Sequence, residues 1–309
     1  PGRCLYVTGF AGGGIPCGFR PRFLPMSGLN PQQREAIHYL DGPLLVLAGA
    51  GSGKTRVITQ KIAYLVQDCG FQPRNVAAIT FTNKAAKEMQ ERIGKLLSRP
   101  TAEELQISTF HSLGVRILRE EARALGYKPR FSIFDSADCA GIIGDIAKSI
   151  DKATLHRLQS IISNWKNALV TPEAALQLAT NEHEALAAHA YLSYEATLKA
   201  YQAMDFDDLI GLPVKLFSEY PEIVEKWQNR LRYLLVDEYQ DTNACQYQLL
   251  KLLTHFLIET HGGGDKRVVL CLDEAQAMPI ESLEALRLLS NLETESRKLL
   301  QVVLFGQPE

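Results

Sequence analysis

The sequence predicts an α/β protein, a parallel sheet interrupted by a helical insertion. Three observations carry this expectation. An apolar run at 44–50 passes through a glycine-rich turn into a helical pattern. A second strand-to-helix unit follows at 76–97. A long Ala- and Leu-rich stretch then gives way to a renewed strand pattern at 233–236. Strands that alternate with helices pack as a parallel, doubly wound sheet.

The first 25 residues, rich in Gly, Pro and Arg, show neither the helical nor the strand period and precede Met26. A disordered leader, or translated sequence upstream of the true start, is expected there. The interruption AGGGIPCG breaks any apolar stretch a signal peptide would need. From Leu44 the run LLVLAGA reads as a buried strand, and RVITQKIAYLVQ follows as a helix with Val57, Ile58, Ile62, Leu65 and Val66 on its apolar side. VAAITF is the next strand, and NKAAKEMQERIGKLL the next helix, carrying Ala86, Met89, Ile93 and Leu97 on one face. The expected division is a first part of the sheet domain at 26–118, a helical insertion at 119–203, a second part of the sheet domain at 204–254, and a further segment at 255–309.

Composition sets bounds on this reading. Of 309 residues, 46% are hydrophobic and 22% charged, enough to bury one to three ordinary cores. Lys and Arg number 33 against 35 Asp and Glu, a formal charge of -2, so any contact with nucleic acid must be made by a local patch. The six cysteines are scattered with no C-x-x-C pair, which excludes a zinc ladder and points to reduced thiols in the cytoplasm. The longest apolar runs are strand-length, far short of the roughly 20 residues that span a bilayer, so no membrane segment is expected.

Chemistry concentrates at two places. Ala48 to Thr55, AGAGSGKT, is a phosphate-binding loop in the strand-to-helix context such a loop requires. Its glycines let the N–H groups of Ala50, Gly51, Ser52 and Gly53 wrap phosphate oxygens, and the helix start beyond adds partial positive charge. Lys54 is placed to reach the β and γ phosphates and the Thr55 hydroxyl to bind Mg²⁺. Ala48 stands where the general pattern has glycine. In LLVDEYQD an apolar strand delivers Asp237 and Glu238 at its carboxyl end, where ligands of open α/β sheets sit. Asp237 suits a Mg²⁺ ligand, through water, and Glu238 a group that orients and deprotonates the attacking water. ATP and Mg²⁺ are the cofactors this implies.

The ordered series LNPQQREAI, AGAGSGKTR, ITFTNKAAKEM, STFHSLGVRIL, DFDDLI and LLVDEYQDTN resembles the amino-terminal half of superfamily-1 helicases of the UvrD/Rep/PcrA type, over about residues 26–253. Ala48 is usual in that family. The resemblance implies a RecA-like P-loop NTPase sheet and ATP-dependent 3'–5' DNA unwinding. It assigns Gln33 to the adenine edge, Arg56 to packing on the base, and Gln240 to sensing the γ-phosphate and coupling it to DNA. Phe81 and Asn83 fall in one motif that holds single-stranded DNA, and Thr109, Phe110 and His111 in another. Stacking aromatics with polar backbone contacts are the physical recipe for such binding. Phe81 also suits a core position, His111 a satisfied loop histidine, and Asp205 a cap for the helix containing Asp207 and Asp208.

After Leu253 the series is expected to continue into a G-D-x-D-Q-S-I-Y-x-W-R-G-A motif, which is absent. The segment 255–309 instead resembles an internal piece of ExeA/MshM-type AAA ATPases, through VVLCLDEAQAMP and LLQVVLFGQPE, with no phosphate loop of its own. The expectation is therefore an ATP- and single-stranded-DNA-binding portion of a helicase, cut before its second motor domain, with weak ATPase and no unwinding. The strand VVLCL, arriving after the helix NACQYQLLKLLTHFL, is expected to dock in the slot where the family adds its next parallel strand. Two other classes stay open: a noncatalytic nucleotide-binding interaction protein, and a regulator of secretion-type ATPases acting through the last segment.

Overall fold

The computed structural model describes residues 28–40, 53–148, 151–237 and 242–259, with only the backbone given for 54 and 254–259, together with the backbone of short strands at 6–8, 45–47, 268–272, 293–294, 297–298 and 300–304. In chain order the elements are β1 (Tyr6–Thr8), α1 (Pro31–His38), β2 (Leu45–Leu47), α2 (Lys54–Gln67), β3 (Val76–Thr80), α3 (Asn83–Leu96), α4 (Arg99–Glu104), β4 (Gln106–Thr109), α5 (Phe110–Glu121), β5 (Ser132–Ile133), α6 (Ser136–Ala147), α7 (Lys152–Asn167) and α8 (Pro172–Leu178). They continue with α9 (Glu182–Tyr201), β6 (Ala203–Met204), α10 (Asp208–Glu219), α11 (Pro221–Arg230), β7 (Tyr233–Val236), α12 (Ala244–Glu259), β8 (Val268–Leu272), β9 (Glu293–Thr294), β10 (Arg297–Lys298) and β11 (Leu300–Leu304). The chain is mixed α/β, mostly helical, with a small parallel sheet. It divides into two compact units: 1–109 with 225–241 and 253–309, and 110–224 with 242–252.

In the first unit β3 lies between β4 and β7, parallel to both, in a register that sets Thr80 opposite Thr109 and Ile79 opposite Val236. All five residues of β3 are buried, as expected for a central strand with helices on its faces. Val76 and Ala78 of β3, and Tyr233 and Leu235 of β7, recur at the strand period of two and so belong to one face. They join a core with Val57, Ile58, Ile62 and Leu65 of α2 and Met89 and Ile93 of α3. Each fully buried Ile or Leu contributes about 1.5–3 kcal/mol. The helical period read in the sequence is the period that is buried. Strand β4 escaped that reading because QIST has one strongly apolar residue, and pairing with β3 makes it a strand where its composition does not.

Strand β8 lies alongside β7 and pairs in parallel with β11; β11 in turn runs alongside β2. Among the described strands no hydrogen-bonded ladder joins β7 to β8. Within the stretch expected to be a disordered leader, Tyr6–Thr8 form β1 and pair antiparallel with β2. An adjacent strand supplied backbone partners that the side-chain pattern does not announce.

The second unit is helical. Helices α6, α7 and α9 bury Cys139, Ile143, Leu158, Ile162, Tyr191, Tyr194 and Leu198 in one core. Side-chain caps start these helices: Asp135 before α6, Asp151 before α7, Thr171 before α8 and Asn181 before α9. Helices α5 and α10 approach so closely at Gly114 that a Cβ there would stand 1.7 Å from the Leu209 carbonyl oxygen. This crossing draws α5 and α10 into the unit, which therefore extends beyond the 119–203 insertion at both ends. A two-residue parallel bridge between β5 and β6 sets Ser132 opposite Ala203. Among the described residues Cys69, Cys139 and Cys245 are free thiols, and no helix is long and apolar enough to cross a membrane.

Candidate nucleotide and nucleic-acid site

Helix α2 begins without a side-chain cap. Gly53 occupies its N-cap position at φ +87°, a left-handed conformation that L side chains rarely adopt, so glycine is required there by the backbone itself. The first-turn N–H groups of a helix lack intrahelical partners, and an uncapped start leaves them available to an anion. Ala50, Gly51 and Ser52 lie outside the described residues, as does the Lys54 side chain; Lys54 is the first residue of α2. Thr55 is half-buried in the same turn.

Two further predicted residues gather at this helix start. Gln33 is buried near the beginning of α1, where it forms a reciprocal cap: its N–H donates to Asn30 Oδ1 at 2.7 Å, and its Oε1 accepts from the Asn30 N–H at 2.9 Å. A Cβ placed on Gly53 would stand 3.2 Å from the Gln33 Nε2. Arg56 donates from Nη1 to the Gly28 carbonyl at 3.0 Å and lies across the Gly28 turn. Gln33, Gly53 and Arg56 are thus assembled by α1, its preceding turn and α2. Lys61, one turn further along α2 and only 1% exposed, locks these helices together by donating to the carbonyls of Ala36 at 3.0 Å and Tyr39 at 2.7 Å.

On the sheet, Asp237 directly follows β7, and its N–H donates to the Ile79 carbonyl at 2.9 Å, which continues the β3–β7 ladder to the carboxyl end. Phe81 follows β3 at the same end and is half-buried. Thr82 caps α3 by accepting from the Ala85 N–H at 3.1 Å, so Asn83 opens that helix and is exposed. Thr109 ends β4 and is buried. Phe81, Thr109 and Asp237 therefore stand at the carboxyl ends of three adjoining parallel strands. Glu238 and Gln240 lie outside the described residues. The hard oxygen donors offered by Thr55 and Asp237 suit Mg²⁺, which takes few protein ligands and completes its shell with water and phosphate.

In the second unit the DNA-contact expectation is corrected at Phe110. Its ring is 1% exposed and heads the buried stripe Phe110, Leu113, Gly114, Ile117 and Leu118 of α5, so it packs as core and offers no face to a base. The exposed aromatic of this unit's motifs is Phe206, at 55%, which the sequence reading passed over; an aromatic between acids at a helix-starting turn was the available signal. Half-buried His111 meets it edge-on, with ring centroids 5.9 Å apart. Burial holds the His111 pKa below its ordinary value, although Asp207 pulls it upward. Two of the acids around Phe206 close the turn reciprocally: the Asp208 N–H donates to Asp205 Oδ1 at 2.8 Å, and the Asp205 N–H to Asp208 Oδ2 at 3.1 Å. Lys166 Nζ joins them, 2.8 Å from Asp205, 2.7 Å from Asp208 and 2.8 Å from Glu195.

Residues 29–266 match the UvrD/REP helicase N-terminal domain, past the Leu253 at which the motif series ends. The chain is 54% identical over 228 residues to the ATP-dependent DNA helicase Rep of Escherichia coli K12, covering 73% of this chain and 34% of that protein. It is 47% identical over 232 residues to the ATP-dependent DNA helicase PcrA of Staphylococcus aureus Mu50, covering 74% and 32%. It thus spans about a third of the length of the curated relatives it matches. The chain belongs to the UvrD/REP helicase N-terminal domain family.

Proposed function

We propose that this chain is the ATP- and single-stranded-DNA-binding portion of a 3'–5' DNA helicase, with a RecA-like sheet as its nucleotide platform. The supporting observation is the assembly of Gln33, Gly53 and Arg56 at the uncapped start of α2, in a unit whose β7 carries Asp237 at its carboxyl end. The Gln33 side-chain amide, beside Gly53, suits the adenine edge. The Arg56 guanidinium, held flat by Gly28, suits packing against the base. Lys54 reaches the β and γ phosphates, and Gly53 lets the backbone close on them without a Cβ.

Thr55 and Asp237 would hold Mg²⁺, which would supply charge neutralisation on the phosphate oxygens when bound. Glu238 orients the attacking water and takes its proton, and Gln240 senses the γ-phosphate. Phe81 and Asn83 with Thr109 and His111 contact the strand, and Phe206 adds a stacking face.

Equilibrium binding tests this reading. The chain is expected to bind a fluorescent ATP analogue with Mg²⁺ and a labelled dT oligonucleotide. Lys54→Ala should abolish the first and spare the second, while Phe206→Ala should weaken the oligonucleotide by about 1–3 kcal/mol, the worth of one stacked base. Undiminished nucleotide binding in Lys54→Ala would rule the assignment out.

A further inference from the structure

We propose that the cavity between α6, α7 and the turn bearing Phe206 is a binding site for a small aromatic amine, with the ring held inside and the ammonium at Asp207. The proposal goes beyond the nucleotide and strand binding argued above and depends on neither.

The cavity lies within the helical unit and has a volume of about 470 Å³. Sites that enclose small organic molecules run to roughly 300–1,000 Å³, with apolar walls and a few convergent polar groups. This cavity has that division. Cys139, Ile143, Ile162 and Tyr194, each at most 4% exposed, form its buried wall, and Phe134 and Phe206 add aromatic faces.

The charged part of the lining is acidic. Asp135, Asp205 and Asp207 all border the cavity, whereas among the described residues no lysine or arginine does, and His156 alone is of a basic type. Lys166 answers Asp205 from outside the lining, but Asp208 and Glu195 share the same ammonium. The balance is therefore negative, and repulsion between like charges keeps a phosphate out. Asp207 is the acid best placed to take a cation. Among the described residues no Lys or Arg pairs with it, while its Oδ1 accepts from Asn167 Nδ2 at 2.8 Å and so holds the carboxylate in place. Burial pushes the Asp207 carboxyl above its usual range, against a hydrogen bond from Ser163, and Asp205 adds to the rise. An ammonium at hydrogen-bond distance supplies the charge that the ionised form lacks. A metal ion would leave the apolar wall unused, and no group of His, Cys, Asp and Glu among the described residues is arranged to hold one. An aromatic ring on a short aminoalkyl arm matches both parts of the lining.

Calorimetric titration of the full chain with tryptamine, and with indole-3-propionate, which carries a carboxylate on the same ring, tests the site. Tryptamine should bind with a Kd on the order of 1 mM or tighter, and indole-3-propionate about tenfold more weakly or not at all. Asp207→Asn keeps an oxygen for Asn167 and removes the charge, so it should weaken tryptamine about tenfold and bring the two ligands together. A merely structural role for Asp207 would weaken both ligands alike. Ser160 is exposed on α7 and borders the cavity, so Ser160→Phe should fill the space and abolish tryptamine binding at an unchanged melting temperature. No binding of tryptamine, equal binding of the two ligands, an unchanged preference in folded Asp207→Asn, or full binding in Ser160→Phe would overturn the proposal. Should Asp207→Asn not fold, Ser160→Phe decides alone: retained binding overturns the site and lost binding upholds it.

Discussion

The two units bury a lysine in opposite ways, and the contrast shows how each is built. In the first, Lys61 donates to two backbone carbonyls, neutral acceptors at the finish of α1. In the second, Lys166, whose side chain is 6% exposed, faces three carboxylates at once. Burial alone would lower the Lys166 pKa, but Asp208, Asp205 and Glu195 outweigh it and hold the ammonium charged. Burial likewise pushes the Asp208 carboxyl well above its usual range, against the pull of Lys166. One cation thus organises an excess of acid in the second unit, while the first uses its cation to join two helices.

The largest expected effect breaks the acidic cluster. Lys166→Met should destabilise by about 3–5 kcal/mol, because it strands buried carboxylates without their cation. Lys61→Met should cost about 1–3 kcal/mol through loss of its hydrogen bonds to the Ala36 and Tyr39 carbonyls. Chemical denaturation of both variants checks the order, and equal losses would remove the distinction between the units. Gly114→Ala should cost about 3 kcal/mol or more, because the added methyl meets the Leu209 backbone, which cannot move without displacing α10. A neutral result in a melting experiment would mean that α5 and α10 do not cross there.

The smallest effect is a pH dependence. His111 has a folded-state pKa below its ordinary 6.5, so the unfolded chain binds the proton more readily. Its contribution to stability is complete above 6.5 and is lost as pH falls through the folded-state value. His38 in the first unit shifts in the same direction, lowered by burial against the pull of Asp68. His111→Gln should therefore flatten, without abolishing, the loss of stability on acidification; a steeper loss would contradict the assigned sign.

What the sequence disclosed follows from how local each feature is. Gly53 and the strand before Asp237 were legible because their spacing in the chain is their spacing in the site. The stripe headed by Phe110 repeats at helical intervals, so its burial was readable from the period, but the motif's resemblance to a DNA-contacting segment was given more weight than that phase. Phe206 was passed over because the acids flanking it invited a reading as caps; Asp205 accepts from the Asp208 N–H as a cap does, whereas the side chain of Asp207 caps nothing. The chain Asn243–Asn167–Asp207 joins three residues far apart in sequence through side-chain amides, and no local pattern marks such a contact. Strand β4 was hidden for a similar reason, since its pairing with β3 is supplied by the sheet and not by its own residues.

The central claim is that Lys54 and Asp237 serve one magnesium nucleotide. A double-mutant cycle on Mg²⁺-dependent binding of an ATP analogue tests it most directly, with Lys54→Ala, Asp237→Asn and the pair. The account predicts that the losses are not additive, with a coupling of about 0.5–3 kcal/mol between the two positions. Strictly additive losses, or binding in Asp237→Asn that keeps its full dependence on Mg²⁺, would contradict it.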